Sequence, residues 1–374
     1  MKNRIYKYFF YELIRYFAVV LFALTAIIWT IQAVNFLDLV TDDGHAFKIY
    51  FFYSILTLPK ILTKLIPFSF LIASILTILK MEKDNELIIL WTSGLNKIYI
   101  VNLIFKISIL IVIVQMLMSI IINPETLNYS RKLLKDSELQ FASSLLKEKE
   151  FNDAVEGLTI FVGNKKANNI YENIFIRDDG RVLTQVAGNA STIFAKSGYI
   201  SDDEKNLVLL NGNIQKQEEN QNISIINFQK TFINLSGLST KTISEPKIQE
   251  TSTIDIISCL SGNNIFMHNC DGSKKFYRDV KIELNKRFGM PFYIPLLGFI
   301  TCFLLSSKRD KKNYYSYKYI YFVIGFIILV TSEITVRYSG ISLNHTILYY
   351  MVPIISLPFI YLLLIRIFKY ENLN

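Results

Sequence analysis

The sequence lacks every short motif that marks a nucleotide-binding or catalytic site. It has no G-x-x-x-x-G-K-S/T loop to cradle phosphates, no nucleophile elbow and no pair of histidines at metal-binding spacing. Its three histidines are scattered far apart. We therefore expect a protein that is not an enzyme and has no cofactor. If the protein performs active transport, another chain must hydrolyse the ATP.

Cysteine is also scarce, with three residues in 374. Cys302 lies in an apolar segment, where it is expected to be a small packing residue. Cys259 and Cys270 lie in a polar region, where an oxidising compartment would permit a disulfide that closes a short loop. Spacing alone leaves that pairing open. Adding His268 to the two cysteines matches no zinc spacing, so we predict no metal site.

Apolar residues, in contrast, are abundant. They make up 51% of the chain, and the mean hydropathy is positive, which indicates an integral membrane protein. The net charge of +9 does not indicate a nucleic-acid partner, because Lys and Arg cluster at the ends of apolar segments and not on one face. Six segments are long enough to cross a hydrocarbon core of roughly 30 Å. They cover residues 17–37, 61–79, 98–122, 288–305, 319–336 and 346–365.

Basic residues predict how these segments are oriented. The first segment is too long for the apolar region of a secretory signal, so we interpret it as a retained helix. Lys and Arg crowd residues 2–15, the connector 308–318 and residues 366–369. Since cytoplasmic connectors are rich in Lys and Arg, both termini are predicted to be cytoplasmic and the middle of the chain to lie outside.

The middle of the chain has a strand-like pattern. Short β-rich runs alternate with turn signals at 178–180, 188–189, 197–198 and 211–213, which is typical of a sandwich or jelly roll. The predicted strands are 158–162, 170–177, 182–186, 191–195, 207–210, 223–228 and 232–235. The predicted fold is thus six transmembrane helices, three plus three, with an inserted all-β jelly-roll-like domain. The domains are residues 1–122, 123–285 with helical connectors, and 286–374.

The connector between the second and third segments predicts a short amphipathic helix at about residues 82–94. Asp84 or Asn85 can cap it, Glu86 falls in its first turn, and Gly94 provides a stop. Its apolar side is formed by Leu87, Leu90 and Trp91. Helices that lie on membranes usually carry basic residues, so the acidic face favours docking on a protein with a basic groove. An inert loop is the alternative.

Charged residues within or beside the apolar segments were the other candidates for function. Lys60 and Lys64 lie one helical turn apart, and they could either line a cavity or extend to the membrane surface. Pro59 is expected to mark a bend that leaves an interfacial helix before it. Glu333 and Arg337 are expected to form a local ion pair, since they are spaced i, i+4.

Several stretches, taken in order, resemble the lipopolysaccharide-export permeases LptF and LptG. The resemblance extends over essentially the whole chain, and its specificity comes from the joint order of weak motifs. They are Leu58-Pro59, Pro67, Asn85-Glu86-Leu87, Gly94-Leu95, Ile226-Asn227-Phe228-Gln229 and the stretch Ile282 to Arg287. The stretch from Gln32 to Asp38 leans toward the LptF-type subunit.

The resemblance implies a permease subunit that extracts lipopolysaccharide from the bacterial inner membrane. The expected partners are a sister permease in a heterodimer, a dimeric cytoplasmic ABC ATPase that uses the ATP, and a periplasmic jelly-roll bridge protein. The coupling residues would be Asp84, Glu86, Leu87, Leu90, Trp91 and Gly94, with Glu86 as the acid that meets the ATPase. Gln32, Asn35 and Lys64 would line the substrate cavity. Asn35 is a departure, because many members carry a basic residue late in the first span.

Two other classes of protein remain as alternatives. A lipoprotein-releasing or efflux permease usually has its outer module between the first and second spans, and here it follows the third. A membrane-anchored binding or sensor module would need a cytoplasmic output domain or signalling partner, and every predicted cytoplasmic segment is short. The alternating residues of the β domain, such as Ile223 and Ile225, could line an open lipid groove or fill a closed core.

Overall fold

The computed structural model describes residues 2–37, 40, 47–136, 146, 148–155, 157–166, 170–179, 190–201, 206–217, 223–234, 247–262, 270, 274–306 and 314–371. The chain divides into two compact units. The membrane unit comprises Met1–Thr30, Thr57–Leu127 and Lys247–Asn374, and the β unit comprises Ile31–Leu56 and Asn128–Pro246. The domain boundaries after residues 122 and 285 remain predictions.

The helices account for the predicted membrane spans. In chain order they are α1 (Lys2–Asn35), α2 (Phe47–Leu56), α3 (Leu58–Lys83), α4 (Glu86–Thr92), α5 (Lys97–Leu117), α6 (Asn123–Asp136), α7 (Thr253–Leu260), α8 (Lys274–Gly289), α9 (Tyr293–Cys302), α10 (Tyr314–Ser339) and α11 (Leu343–Glu371). A π-helical turn, Met118–Ile122, joins α5 to α6, and 3-10 turns cover Ile248–Glu250, Met290–Phe292 and Phe303–Leu305. Within the described residues, six helical spans are long and apolar enough to cross a membrane.

Local sequence explains where the second span breaks. Thr57 separates α2 from α3, and Pro59 lies in the first turn of α3. A proline there costs no hydrogen bond, because the first amides of a helix have no intrahelical acceptor. The helix is thus interrupted at Thr57, two residues before the proline, and the bend itself remains a prediction.

The six spans differ in how much of their apolar surface the chain itself covers. Of the most apolar window of each span, 78% is buried in the fourth and 67% in the second, but only 6% in the first. The central core of the membrane unit contains Phe70, Ile104 and Leu297, each fully buried. The first, fifth and sixth spans therefore present apolar surface that lipid or another membrane helix must cover.

The described strands form one antiparallel sheet. They are β1 (Phe151–Val155), β2 (Leu158–Lys166), β3 (Ile170–Asp178), β4 (Ser191–Ile200), β5 (Asn206–Gln217) and β6 (Ile223–Asn234). Each strand pairs with the next in sequence, so the order is that of a meander. The inserted β domain is confirmed, while the jelly-roll topology remains a prediction. The predicted strand at 182–186 lies outside the described residues.

Two of the predicted turns are wrong, because they fall inside strands. Residues 197–198 lie within β4 and residues 211–213 within β5, and the described residues of the two runs predicted at 223–228 and 232–235 are parts of β6. In each pairing from β2 to β6, one residue on each strand lacks a paired partner, and the register is the same before and after that residue. These residues form a line across the sheet, at Gly163, Asn173, Lys196, Asn211 and Gln229.

This line acts as a crease in the sheet. Asn173 and Asn211 have positive φ, 55° and 52°, a conformation that asparagine tolerates better than most residues. The inward-facing positions shift by one residue at the line, from Leu209 to Ile214 in β5, for example. Residues from both sides of the crease share one apolar core. Residues that the sequence analysis took as turns between strands thus lie at the crease inside long strands.

Candidate functional site

The short helix α4 connects the second and third spans. It starts at Glu86, and the preceding Asn85 has φ 59° and makes no side-chain capping bond. Asp84 ends α3, because its amide bonds to the carbonyls of Lys80 and Glu82. Asn85 therefore occupies the N-cap position of α4, one of the two residues predicted to cap it, but without the side-chain bond of a typical cap. The predicted helix at 82–94 is shorter than expected, since residues 82 and 83 belong to α3.

The end of α4 follows the prediction. Gly94 has φ 81°, its amide donates to the carbonyl of Trp91 at 3.1 Å, and the amide of Leu95 donates to that of Leu90 at 3.1 Å. These two bonds make a Schellman motif, which requires the left-handed conformation that glycine adopts without strain. A Cβ at Gly94 would meet nothing within 4 Å, so backbone conformation is the reason for glycine here.

The apolar face of α4 points into its own chain. Leu87 is buried in the core of the membrane unit, and Leu90 and Trp91 pack against that core. The sequence analysis predicted that these three residues form a docking face. That prediction is wrong, because they pack against the core of their own chain. Ile88 and Ile89 are exposed instead. Any surface that α4 offers to another molecule must therefore include these two isoleucines.

The carboxylate of Glu86 bonds to the first helix. The hydroxyl of Tyr8 donates to Glu86 Oε1 at 2.9 Å. Glu86 Oε2 is buried and accepts no hydrogen bond from the described residues. Both residues line a hollow of about 330 Å³ whose other walls are Arg4, Ile5, Met81, Ile89 and Leu90. The carboxylate thus has one oxygen held by α1 and one oxygen still able to accept.

Two ion pairs brace the same end of the membrane unit. Lys80 at the end of α3 pairs with the buried Glu12 of α1. Lys97, at the start of α5, pairs with Glu371 at 2.6 Å, and its side chain is only 6% exposed. Its ammonium lies 5.7 Å from the centre of the Trp91 ring, within cation–π range. Sequence analysis missed these residues, although charges beside apolar spans were the available signal.

A cavity of about 320 Å³ with several charged side chains in its lining lies within the membrane unit. It is lined by residues from α3, α5, the π-helical turn, α6, α8, α10 and the 3-10 turns Ile248–Glu250 and Met290–Phe292. The lining is Lys60, Thr63, Lys64, Pro67, Gln115, Ser119, Asn123, Leu127, Gln249, Glu283, Lys286, Arg287, Met290 and Glu333. Four cationic and two anionic side chains therefore surround one cavity, which gives it a net positive charge.

The two carboxylates of the cavity are both paired. Lys286 donates to Glu333 at 2.6 Å, so the predicted pair of Glu333 with Arg337 is wrong. The guanidinium of Arg287 donates to Glu283 at 3.2 Å, to the hydroxyl of Thr253 at 2.8 Å and to carbonyls of the segment from Ile248 to Thr251. Thr253 donates in turn to the carbonyl of Ile120 in the π-helical turn. Arg287 is thereby fixed in place.

The positive charge available to a ligand comes mainly from α3. Lys60 is half-buried and Lys64 is exposed, and both face the cavity. Gln115 is 4% exposed, and its side-chain oxygen accepts no hydrogen bond among the described residues. The cavity therefore combines two ammonium groups with an acceptor, which suits an anionic group that also carries a hydroxyl or amide donor.

The predicted cavity residues fall in different units. Lys64 lines the cavity of the membrane unit, which agrees with the first of the two positions considered for it in the sequence analysis. Gln32 is half-buried and Asn35 exposed in the last turns of α1, within the β unit. Their share in a substrate site remains a prediction.

Two of the three cysteines are joined. Cys259 and Cys270 form a disulfide with their Cα atoms 5.7 Å apart, which resolves the pairing that spacing left open. Cys302 is a buried free thiol. The described residues contain no group of three or more His, Cys, Asp or Glu side chains that could hold a metal.

The fold is that of a polytopic membrane protein with an inserted β unit and a cationic cavity among its helices. Residues 7–367 match the family model of the lipopolysaccharide export system permease LptF/LptG, so the chain belongs to this family. It is also similar to an uncharacterized protein, RP871, of Rickettsia prowazekii (strain Madrid E), with 29% identity over 238 residues. That match covers 63% of this chain and 64% of the relative. Six spans and the family together support a multi-pass inner-membrane protein.

Proposed function

We propose that this chain is the non-catalytic permease subunit of an ABC-type exporter that extracts lipopolysaccharide from the inner membrane. The observation that carries the proposal is the family match, which covers both membrane halves and the β unit between them. ATP is hydrolysed by a separate cytoplasmic ATPase that acts on α4. A lipoprotein or efflux permease is less well supported, because its outer module would follow the first span.

The cavity of the membrane unit supports a phosphorylated lipid as substrate. Lys60 and Lys64 provide two cations for phosphate groups, while Glu283 and Glu333 are already neutralised by Arg287 and Lys286. Ammonium–phosphate bonds in a partly desolvated cavity are charge-assisted and strong. Lys64, the more exposed of the two, is the residue best placed to meet a headgroup.

Exposed surfaces of the chain support three proposed partners. The sister permease would cover the apolar first span, of which little is buried by the chain itself. The periplasmic bridge protein would pair with β6, an edge strand with exposed Ile223, Ile225 and Phe232. The ATPase dimer would contact the exposed Ile88 and Ile89 and the half-buried Glu86 between α1 and α4.

Two features support a periplasmic β unit and cytoplasmic termini. Basic residues concentrate at both chain ends. The disulfide between Cys259 and Cys270 forms in an oxidising compartment, and these residues follow the β unit in sequence. In this orientation α4 faces the cytoplasm, where ATP is available.

The substrate assignment can be tested with Lys64→Gln. In the reconstituted complex we expect weaker binding of lipopolysaccharide, by about tenfold for the loss of one charge-assisted contact. Arg337→Gln is the matched control, since Arg337 is an exposed cation that does not line the cavity. Equal binding by both variants would contradict a headgroup site at Lys64.

A further inference from the structure

The strongest unassigned feature is a polar stripe on α1 that faces the α3–α4 corner. Tyr8, Glu12 and Tyr16 are spaced i, i+4, i+8 and so share one side of the helix. Tyr8 donates to Glu86 at 2.9 Å, Glu12 pairs with Lys80, and the Lys80 ammonium lies 5.9 Å from the centre of the Tyr16 ring. The first span is thus joined to the corner that carries α4 by successive polar contacts.

The middle of this stripe is packed, while Tyr8 at its start is 44% exposed. Phe9, Glu12 and Leu13 are buried, at 1%, 5% and 0% exposure. Beyond them the span has little burial within the chain, because only 6% of its most apolar window is covered. A movement of α4 can therefore be transmitted to the first span through the buried residues near the start of α1. The rest of that span has little contact with the other spans of the chain.

The contacts that Glu12 and Tyr8 make to the α3–α4 corner are of different kinds. Lys80 and Glu12 form an ion pair with a buried carboxylate. The contact between Tyr8 and Glu86 is a single hydrogen bond to a carboxylate whose second oxygen accepts nothing from the described residues. Among the described residues, Tyr8 is therefore the one side-chain donor to the Glu86 carboxylate.

We propose that Tyr8 is a positioning residue for the coupling acid, and that its hydroxyl joins the first span to Glu86 so that α4 and α1 move together. The phenol fixes the carboxylate of Glu86, a residue that lines the hollow together with Arg4, Ile5 and Ile89. This inference rests on the proposed function, since it takes α4 to be the segment on which the ATPase acts.

The test is Tyr8→Phe, which removes the donor and keeps the ring. Tyr11→Phe is the matched control, because Tyr11 is 68% exposed on the same helix. Each variant is purified with the sister permease and ATPase and reconstituted into proteoliposomes that contain lipopolysaccharide. Phosphate release and lipopolysaccharide release are then measured together. For Tyr8→Phe we expect lipid released per ATP to fall about tenfold, the effect of one charge-assisted hydrogen bond, while ATP hydrolysis and co-purification persist.

A second variant separates positioning from general damage. Glu86→Asp keeps the charge but withdraws the carboxylate from Tyr8 by one methylene. If Tyr8 acts through Glu86, the double variant Tyr8→Phe/Glu86→Asp should be no worse than Glu86→Asp alone. Additive losses, or a Tyr8→Phe complex that exports like Tyr11→Phe, would overturn the inference. Failure of the wild-type complex to export would instead overturn the proposed function.

Discussion

The buried pair of Lys97 and Glu371 allows the sharpest prediction about stability. Lys97→Met keeps an apolar stem of similar length and removes the ammonium. The pair has a separation of 2.6 Å, and its side chains are 6% and 20% exposed, so solvent screens it little. Removing one partner of a buried ion pair typically costs about 3–5 kcal/mol. We expect a loss in this range, with part of it from the Lys97 contacts to the rings of Trp91 and Phe368.

The double variant Lys97→Met/Glu371→Gln tests the reason for that loss. Replacing both charges also removes the carboxylate that would otherwise lose its lysine partner, so most of the lost stability should return. The measurement is unfolding in mixed detergent micelles, with added SDS, followed by far-UV circular dichroism. Lys369→Met is the control, because Lys369 is exposed near the end of α11, two residues before Glu371. A single variant within about 1 kcal/mol of the wild type would refute the assignment of a buried pair in this position.

Three further predictions concern the lining of the cavity, the β unit and the disulfide. Arg287→Lys should lower the thermal stability markedly, because one ammonium cannot replace a guanidinium that bonds to Glu283, Thr253 and three carbonyls; an unchanged melting temperature would contradict this role. Gly212→Ala should destabilise the β unit, since a Cβ there would lie 2.1 Å from the backbone oxygen of Phe194; native-like protease resistance of the variant would argue against the crease. Reducing the disulfide of Cys259 and Cys270 should destabilise α7, which carries Cys259, measured as faster amide exchange in α7, and unchanged exchange would contradict it.

Hydrophobic length predicted the six spans because membrane crossing requires about 20 apolar residues, whatever the tertiary structure. Gly94 was predictable for a similar local reason, since helix stops depend on backbone conformation. The strand ends were not predictable, because asparagine and glycine favour the same conformations in a turn and in a creased strand. The sequence cannot distinguish the two without the partner strands.

The charged contacts required the tertiary structure. Glu333 was expected to bond along its own helix to Arg337, but Lys286 on α8 is its partner. Amphipathicity predicted that the apolar face of α4 docks on a partner, yet Leu87, Leu90 and Trp91 pack against the core of their own chain. A short amphipathic helix shows which face is apolar and not what that face will meet. Tyr8 escaped notice because a lone tyrosine near a chain end carries no sequence signal.

The central claim is that this chain is half of a lipopolysaccharide exporter whose ATPase is another subunit. The most direct test reconstitutes the chain with its sister permease and ATPase in proteoliposomes and measures transfer of labelled lipopolysaccharide to a soluble acceptor. We predict transfer that requires ATP, and that stops when either this chain or the ATPase is omitted. ATP hydrolysis without any lipopolysaccharide transfer, or transfer that persists without this chain, would contradict the account.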